Sequence, residues 1–192
     1  MTGRTHDLAA ISALGLVALA RPIPDLTLAT ALLAILANLI GGIAPDIDEP
    51  TAPFWRNLPI GGFFGRIIDK LLGGHRFLSH SLAGVSVFGI LSYLLLEFLH
   101  PIMPHVNIMI VWWAIVIGLL SHLVMDTLTK EGVPWLLPVP FKFGLPPLRA
   151  LRITTGKWLE SLVVFPGIVL FDIIWIWMHY PKIVEALKYH LR

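Results

Sequence analysis

The chain contains no cysteine. That excludes a disulfide framework, a thiolate metal site and a cysteine nucleophile, so any transition metal must be held by His, Asp and Glu. Charge is also scarce. Asp, Glu, Lys and Arg make up 14% of the 192 residues against 56% hydrophobic ones, and the mean hydropathy is +0.80. Soluble globular domains carry about 25% charged residues. There is no internal repeat, no low-complexity tract and no nucleic-acid-binding motif. The Lys and Arg residues flank apolar runs, where membrane lipid rather than nucleic acid is the expected partner.

What is present in abundance is apolar sequence of membrane-spanning length. The expected fold is an all-α integral membrane protein, a single polytopic domain over 1–192 with about five transmembrane helices. The first run, Leu8–Ala20, imitates a signal peptide ending in Ala18-Leu19-Ala20. Asp7 in the supposed basic region, and Pro22 and Pro24 beyond it, favour a retained short helix that continues back to His6. The further runs are Leu26–Ala44, Leu82–Leu99, Val106–Met125 and Ser161–Met178, the last followed by a short tail.

The connections differ in character. Pro45-Asp46-Ile47-Asp48-Glu49-Pro50 reads as a rigid acidic turn. Within Thr51–Gly74, Phe63, Phe64, Ile67, Ile68, Leu71 and Leu72 at helical spacing predict an amphipathic helix in the membrane interface. Ser79 or Ser81 would cap the third span. Thr127–Leu159 is a long loop containing Pro134, Pro138, Pro140, Pro146 and Pro147, and loops of that length are usually functional.

Sidedness follows from the basic residues. Of the 14 Lys and Arg, only Arg21, Lys182, Lys188 and Arg192 fall on one side of a five-span chain; the other ten fall with the N-terminus. The positive-inside rule then makes the ten-residue side cytoplasmic, in an inner membrane, with the C-terminus outside. Trp55, Trp135 and Trp158 mark the cytoplasmic interface, and Trp112, Trp113, Trp175 and Trp177 the opposite one.

At the cytoplasmic end of the fourth span, His122 and Asp126 stand four residues apart, one helical turn, so both side chains can reach one ion. An isolated HxxxD pair is a weak signal. Here the topology brings His6, Asp46, Asp48, His75 and His80 to the same surface, and Glu160 joins them at the start of the fifth span. Such a His/carboxylate set can hold two divalent ions, zinc first and manganese as the alternative, bridged by Asp46 or Asp48. Two ions about 3.5–4 Å apart activate a hydroxide and polarise the oxygen it attacks, which is phosphoester chemistry. Asp48 and Glu160 are the candidate catalytic carboxylates. Arg76 and Lys157, with Lys142, Arg149 and Arg152, are candidate partners for substrate charge. Ser121, Thr127 and Thr155 are candidates to orient the ligands. Asp172, deep in the fifth span, requires a partner, for which Asn38 is the expectation.

Several of these residues occur together as a pattern. Thr5-His6, Pro45-Asp46-Ile47-Asp48, His75-Arg76 with Ser79-His80-Ser81, and Ser121-His122 through Asp126-Thr127-Leu128-Thr129 with Gly132-Val133-Pro134 resemble the YdjM-like, LexA-regulated membrane-bound metal-dependent hydrolases. Thr155-Gly156 with Glu160 is similar to that family's last motif. The family is itself distantly similar to zinc-dependent phospholipase C. Ser79 departs from the pattern, where threonine is more usual, but keeps the hydroxyl. The resemblance implies a metal-dependent hydrolase and leaves the substrate open. From the site alone, a lipid or lipid-linked phosphoester is the expected substrate. An ester or amide is the nearer rival, and a metal transporter, a sensor or a metal-stapled scaffold is the alternative outside enzymes. A transporter would place its ligands near the bilayer midplane, whereas these cluster at helix ends.

Overall fold

A computed structural model describes residues 1–20, 23, 26–139 and 141–190; Arg21, Pro22, Pro24, Pro140 and Arg192 of the reading above lie outside the described residues. Six helices carry the fold: α1 (Gly3–Ala20), α2 (Leu28–Ile43), α3 (Gly61–Leu71), α4 (Leu82–Leu99), α5 (Ile108–Thr127) and α6 (Phe165–His190). No β-strand occurs among the described residues beyond two isolated bridges, Thr129 with Ile153 and Val133 with Phe143.

Four segments are long and apolar enough to cross a membrane: Leu28–Asp48, Leu82–Ile102, Ile108–Thr127 and Glu160–Glu185. Helix α1 is the fifth member. Its 18 residues rise about 27 Å, and Arg4, His6 and Asp7 in its first two turns make it more polar than the others. The expected extension past His6 is therefore real. At the other end of the chain, α6 runs through Pro181 to His190 where a short tail was expected. A proline inside a helix removes one backbone bond and need not end it.

Side chains fix the helix starts. Thr27 accepts from the Thr30 amide, Ser81 from Gly84, and Asn107 from Met109 and Ile110. Ser81, not Ser79, is thus the cap of α4. Ser79 is left free for another task.

Helix α5 is central and packs on α1, α2 and α4. Its closest crossing is with α2, and small residues make it possible. A Cβ on Gly118 would run into the Asn38 carbonyl and the Gly42 amide, and one on Gly41 into the Ile115 carbonyl. The backbones touch there, one turn before His122. Asn38, buried in the same crossing, donates to the Ala114 carbonyl at 3.0 Å. It does not partner Asp172, as expected from sequence. That carboxylate accepts from Ser12 of α1 at 2.7 Å, which ties α6 to the bundle. The sequence offered no way to choose between two polar side chains on different helices.

Between α2 and α4 the chain stays at one end of the bundle. A tight helical turn, Ala44–Asp48, extends α2, and α3 packs on that turn with Gly61 and Gly65 against Trp55. Ile60, Phe63, Phe64, Ile67 and Leu71 of this region are exposed, the apolar face expected of an interfacial helix.

Candidate metal centre

The α2–α5 crossing aims the site. Because Gly118 admits α2 so closely, the ring of His122 reaches back to the Gly42 carbonyl, and its Nδ1 donates there at 2.7 Å. That bond assigns the proton to Nδ1 and turns the lone pair of Nε2 into the bundle end. His80 arrives from the segment between α3 and α4. Its Nδ1 meets Ser79 Oγ at 2.9 Å and lies 3.4 Å from Asp48, and its Nε2 faces the Nε2 of His122 at 3.2 Å. Two imidazole nitrogens this close cannot both present lone pairs; they must share a proton or a metal ion.

Two carboxylates close the figure. Asp46 Oδ1 is 3.5 Å from His122 Nε2 and 3.6 Å from His80 Nε2; Asp126 Oδ2 is 3.8 and 3.6 Å from the same atoms. A tetrahedral ion with bonds of 2.0–2.1 Å has donors about 3.3–3.4 Å apart. The edges measured here, 3.2–3.8 Å, match that spacing with small adjustments. His80, His122 and Asp126 are fully buried.

His6 forms the other half. Its ring stacks on His122 at 3.7 Å, nearly parallel, and its Nε2 is 3.3 Å from Asp126 Oδ1. Both ring nitrogens of His6 are buried without a hydrogen-bond partner. Asp126 therefore presents one oxygen to His6 and the other to His80 and His122. Were two ions bound, Asp126 would be the carboxylate shared between them, a part the sequence assigned to Asp46 or Asp48. Two groups of donors result, His6 with His122 and Asp126, and Asp46 with His80 and His122. Since both draw on the one free nitrogen of His122, only one can use it.

The residues fit a divalent cation. The orphaned nitrogens of His6, the facing Nε2 atoms of His80 and His122 and the buried carboxylates all call for positive charge, as protons or as metal. Positive groups already gather there: the α-amino group of Met1 on Asp126 Oδ1, and the Arg76 guanidinium on Asp126 Oδ2 at 2.6 Å. His80 responds to the same field. Burial opposes a charged ring, but Asp126, Asp46 and Asp48 outweigh it and push its pKa up to about 10.

Other expected members stand one layer back. Asp48 is fully committed, accepting from His75 Nδ1 at 2.8 Å, from the Arg76 amide at 3.0 Å and from Ser79 Oγ. It lies on the Nδ1 side of His80, away from the converging Nε2 atoms. There it orients the ring in the manner of a carboxylate behind a metal-bound histidine. His75 sits farther out, partly exposed, between Asp48 and Glu49. Arg76 holds Asp126 and donates to Thr129 Oγ1 at 2.7 Å. It does so from a left-handed backbone conformation, φ 57°, fixed by its amide bond to Asp48. Glu160 lies outside both donor groups. It accepts from the Thr2 amide and hydroxyl, the Thr5 hydroxyl and the Gly156 amide, at 2.7–2.8 Å, and so tethers the start of α1 to that of α6. Lys157 is exposed.

The expected orienting hydroxyls also change. Ser121 bonds the Gly118 carbonyl and Thr127 the Leu123 carbonyl, both within α5, and Thr155 is exposed. Ser79 and Thr129 are the hydroxyls that touch the site. Both stand in the family pattern quoted above, though their spacing alone does not say what either hydroxyl bonds. The Gly42 carbonyl, being backbone, leaves no sequence signal at all.

Lys142, Arg149 and Arg152 do not reach the cluster. With Lys130 and Glu131 they line a separate cavity of about 340 Å³ in the loop after α5. An apolar cavity of about 400 Å³, lined by Val124, Leu128, Trp135, Phe143 and Leu145 among others, lies on the same loop.

Comparison with known proteins agrees with this architecture. The YdjM inner membrane protein family matches residues 1–185. The chain is 26% identical to YvsG of Bacillus subtilis (strain 168) over 164 residues, which cover 85% of this chain and 88% of that one. It is 32% identical to the inner membrane protein YdjM of Escherichia coli (strain K12) over 135 residues, 68% of this chain and 58% of that one. The match to YdjM of Shigella flexneri has the same extent. The chain thus spans less than two thirds of the length of the YdjM proteins. No solved structure matches. The apolar helices and a match over nearly the whole sequence agree: this chain belongs to the YdjM inner membrane protein family.

Proposed function

We propose that this membrane protein is a metal-dependent hydrolase of a lipid or lipid-linked phosphoester, with its centre at the cytoplasmic surface of the inner membrane. The observation that carries the reading is the pair of opposed Nε2 atoms of His80 and His122, 3.2 Å apart and flanked by Asp46 and Asp126. Asp46, His80, His122 and Asp126 would hold one ion. His6 and the second oxygen of Asp126 would hold another, with zinc the first candidate and manganese the second. Divalent ions bound there supply Lewis-acid polarisation of a phosphoryl oxygen and activation of water at neutral pH.

The remaining residues prepare that chemistry. The Gly42 carbonyl and Asp48, through Ser79, fix the tautomers of His122 and His80. Arg76 stabilises the buried Asp126 and keeps it in place. No hydroxyl in the cluster is placed between a base and open space, so a water nucleophile suits the site better than a serine. The preference for a lipid comes from depth. The cluster sits at the bundle end where α3 exposes Phe63, Phe64 and Ile67, so an amphiphile can approach from the bilayer side.

Elemental analysis of detergent-purified protein should find zinc or manganese at one to two ions per chain, and a phospholipid or lipid-phosphate panel should show metal-dependent turnover. Active protein without metal would end this reading. Sidedness is tested separately. Externally added thiol reagent should miss Asn57→Cys, in the segment before α3, and label Lys182→Cys. The reverse pattern would place the centre on the outer surface.

A further inference from the structure

We infer that the loop after α5 contains a second site, which binds the anionic headgroup of a phospholipid beside the metal centre. Lys130, Lys142, Arg149 and Arg152 converge on one cavity that contains a single carboxylate, Glu131. Four cations brought together against one anion repel each other, and a bound phosphate relieves that repulsion. The inference rests on loop residues alone and requires no turnover at the centre.

The depression is open to the surface, and the backbone around it is held in place. The loop is tied to itself and to α5 by main-chain bonds: Val133 and Phe143 exchange amide bonds at 2.8 and 2.9 Å, Lys130 donates to the Ile153 carbonyl at 3.0 Å, and Leu145 to that of Thr127 at 2.8 Å. Arg152 is itself fixed, donating to the carbonyls of Pro146 and Pro147 at 2.8 and 3.0 Å. Its guanidinium lies flat against Gly144, where a Cβ would collide with it.

Gly144 lines the apolar cavity, and Arg152 of the basic cavity packs against it, so the two cavities adjoin there. A phosphate-bearing headgroup beside an apolar slot is the layout of an amphiphile. Phe141, Leu148 and Leu151 of the same loop are exposed, as residues lying against a bilayer would be. These features commit the occupant to an anionic phospholipid rather than a free phosphate. The site also adjoins the centre. Glu131 Oε2 is 3.5 Å from Arg76 Nε, and Arg76 holds Asp126. A lipid held by its headgroup there would lie next to the cluster.

The test measures retained lipid. Full-length protein in phosphatidylcholine nanodiscs doped with phosphatidylglycerol is analysed by native mass spectrometry. Wild type should keep phosphatidylglycerol after exchange into pure phosphatidylcholine. At roughly fivefold per basic side chain, the triple variant K130Q/K142Q/R149Q should bind it on the order of 100-fold more weakly. All three side chains are exposed, so folding should survive; should the triple variant melt early, K142Q and R149Q singly should each show the fivefold effect. The variant R56Q/R66Q/K70Q removes equal charge at the same bundle end and should retain the lipid. No loss in the loop variants, or equal loss in both triples, would overturn the site. Displacement of the lipid by inorganic phosphate would make it a soluble-anion site and overturn the assignment to lipid.

Discussion

His122→Ala should strip the centre of metal and lower hydrolysis by on the order of 1,000-fold or more, while the protein still inserts and folds. The magnitude follows from what one side chain serves. His122 belongs to both donor groups, and its ring is the surface on which His6 stacks. Loss of Lewis-acid assistance removes several kcal/mol of barrier lowering, and each 1.36 kcal/mol is tenfold. The serines provide the comparison. Ser79→Ala should cost about 10- to 100-fold, because Ser79 links Asp48 to His80 behind the ligands. Ser121→Ala should cost far less, since that hydroxyl serves only the Gly118 carbonyl in its own helix. Metal content by elemental analysis and turnover on a lipid phosphoester read both effects. A serine variant more damaging than His122→Ala, in folded protein, would mean that the nucleophile is a side chain.

Gly118→Ala should disable the protein through packing alone. The new methyl group would sit on the Asn38 carbonyl and the Gly42 amide, and neither backbone atom can rotate away. Helices α2 and α5 would have to separate, at a cost of about 1–3 kcal/mol for an overpacked core. The separation would also pull the Gly42 carbonyl from His122 Nδ1, which should weaken metal binding by about 10- to 100-fold. Gly62→Ala is the control: it lies in α3 with nothing within 4 Å of the added Cβ, and it should leave both properties intact. Thermal unfolding in detergent and metal retention distinguish the two. Unchanged melting of Gly118→Ala would contradict the close crossing.

The all-helical membrane fold follows from composition and run length. A span needs about 20 apolar residues, and nothing else in a soluble chain imitates that. Helix α4 was legible to the residue, because Ser81 caps it and the apolar run ends at Leu99. The end of α6 was not. Pro181 and the polar residues around it read as a stop, yet the backbone continues. The convergence of His6, Asp46, His80, His122 and Asp126 was legible too, since topology alone sends alternate helix ends to one surface.

Tertiary structure decided which residues face the centre and which stand behind it. Asp46 and Asp48 are two residues apart in an acidic turn and look equivalent in sequence. The tight turn Ala44–Asp48 points one at the Nε2 atoms and the other at the His75, Arg76 and Ser79 donors. Glu160, a candidate catalytic carboxylate in sequence, ties two helix starts together, its four donors coming from residues 2, 5 and 156. The loop cations looked like part of the centre and line a cavity of their own. Spacing along a helix tells which face a side chain occupies. It cannot tell which nitrogen of a ring points inward, or which oxygen of a carboxylate is already hydrogen-bonded, because those depend on backbone groups brought close by Gly41, Gly42 and Gly118 from distant parts of the chain.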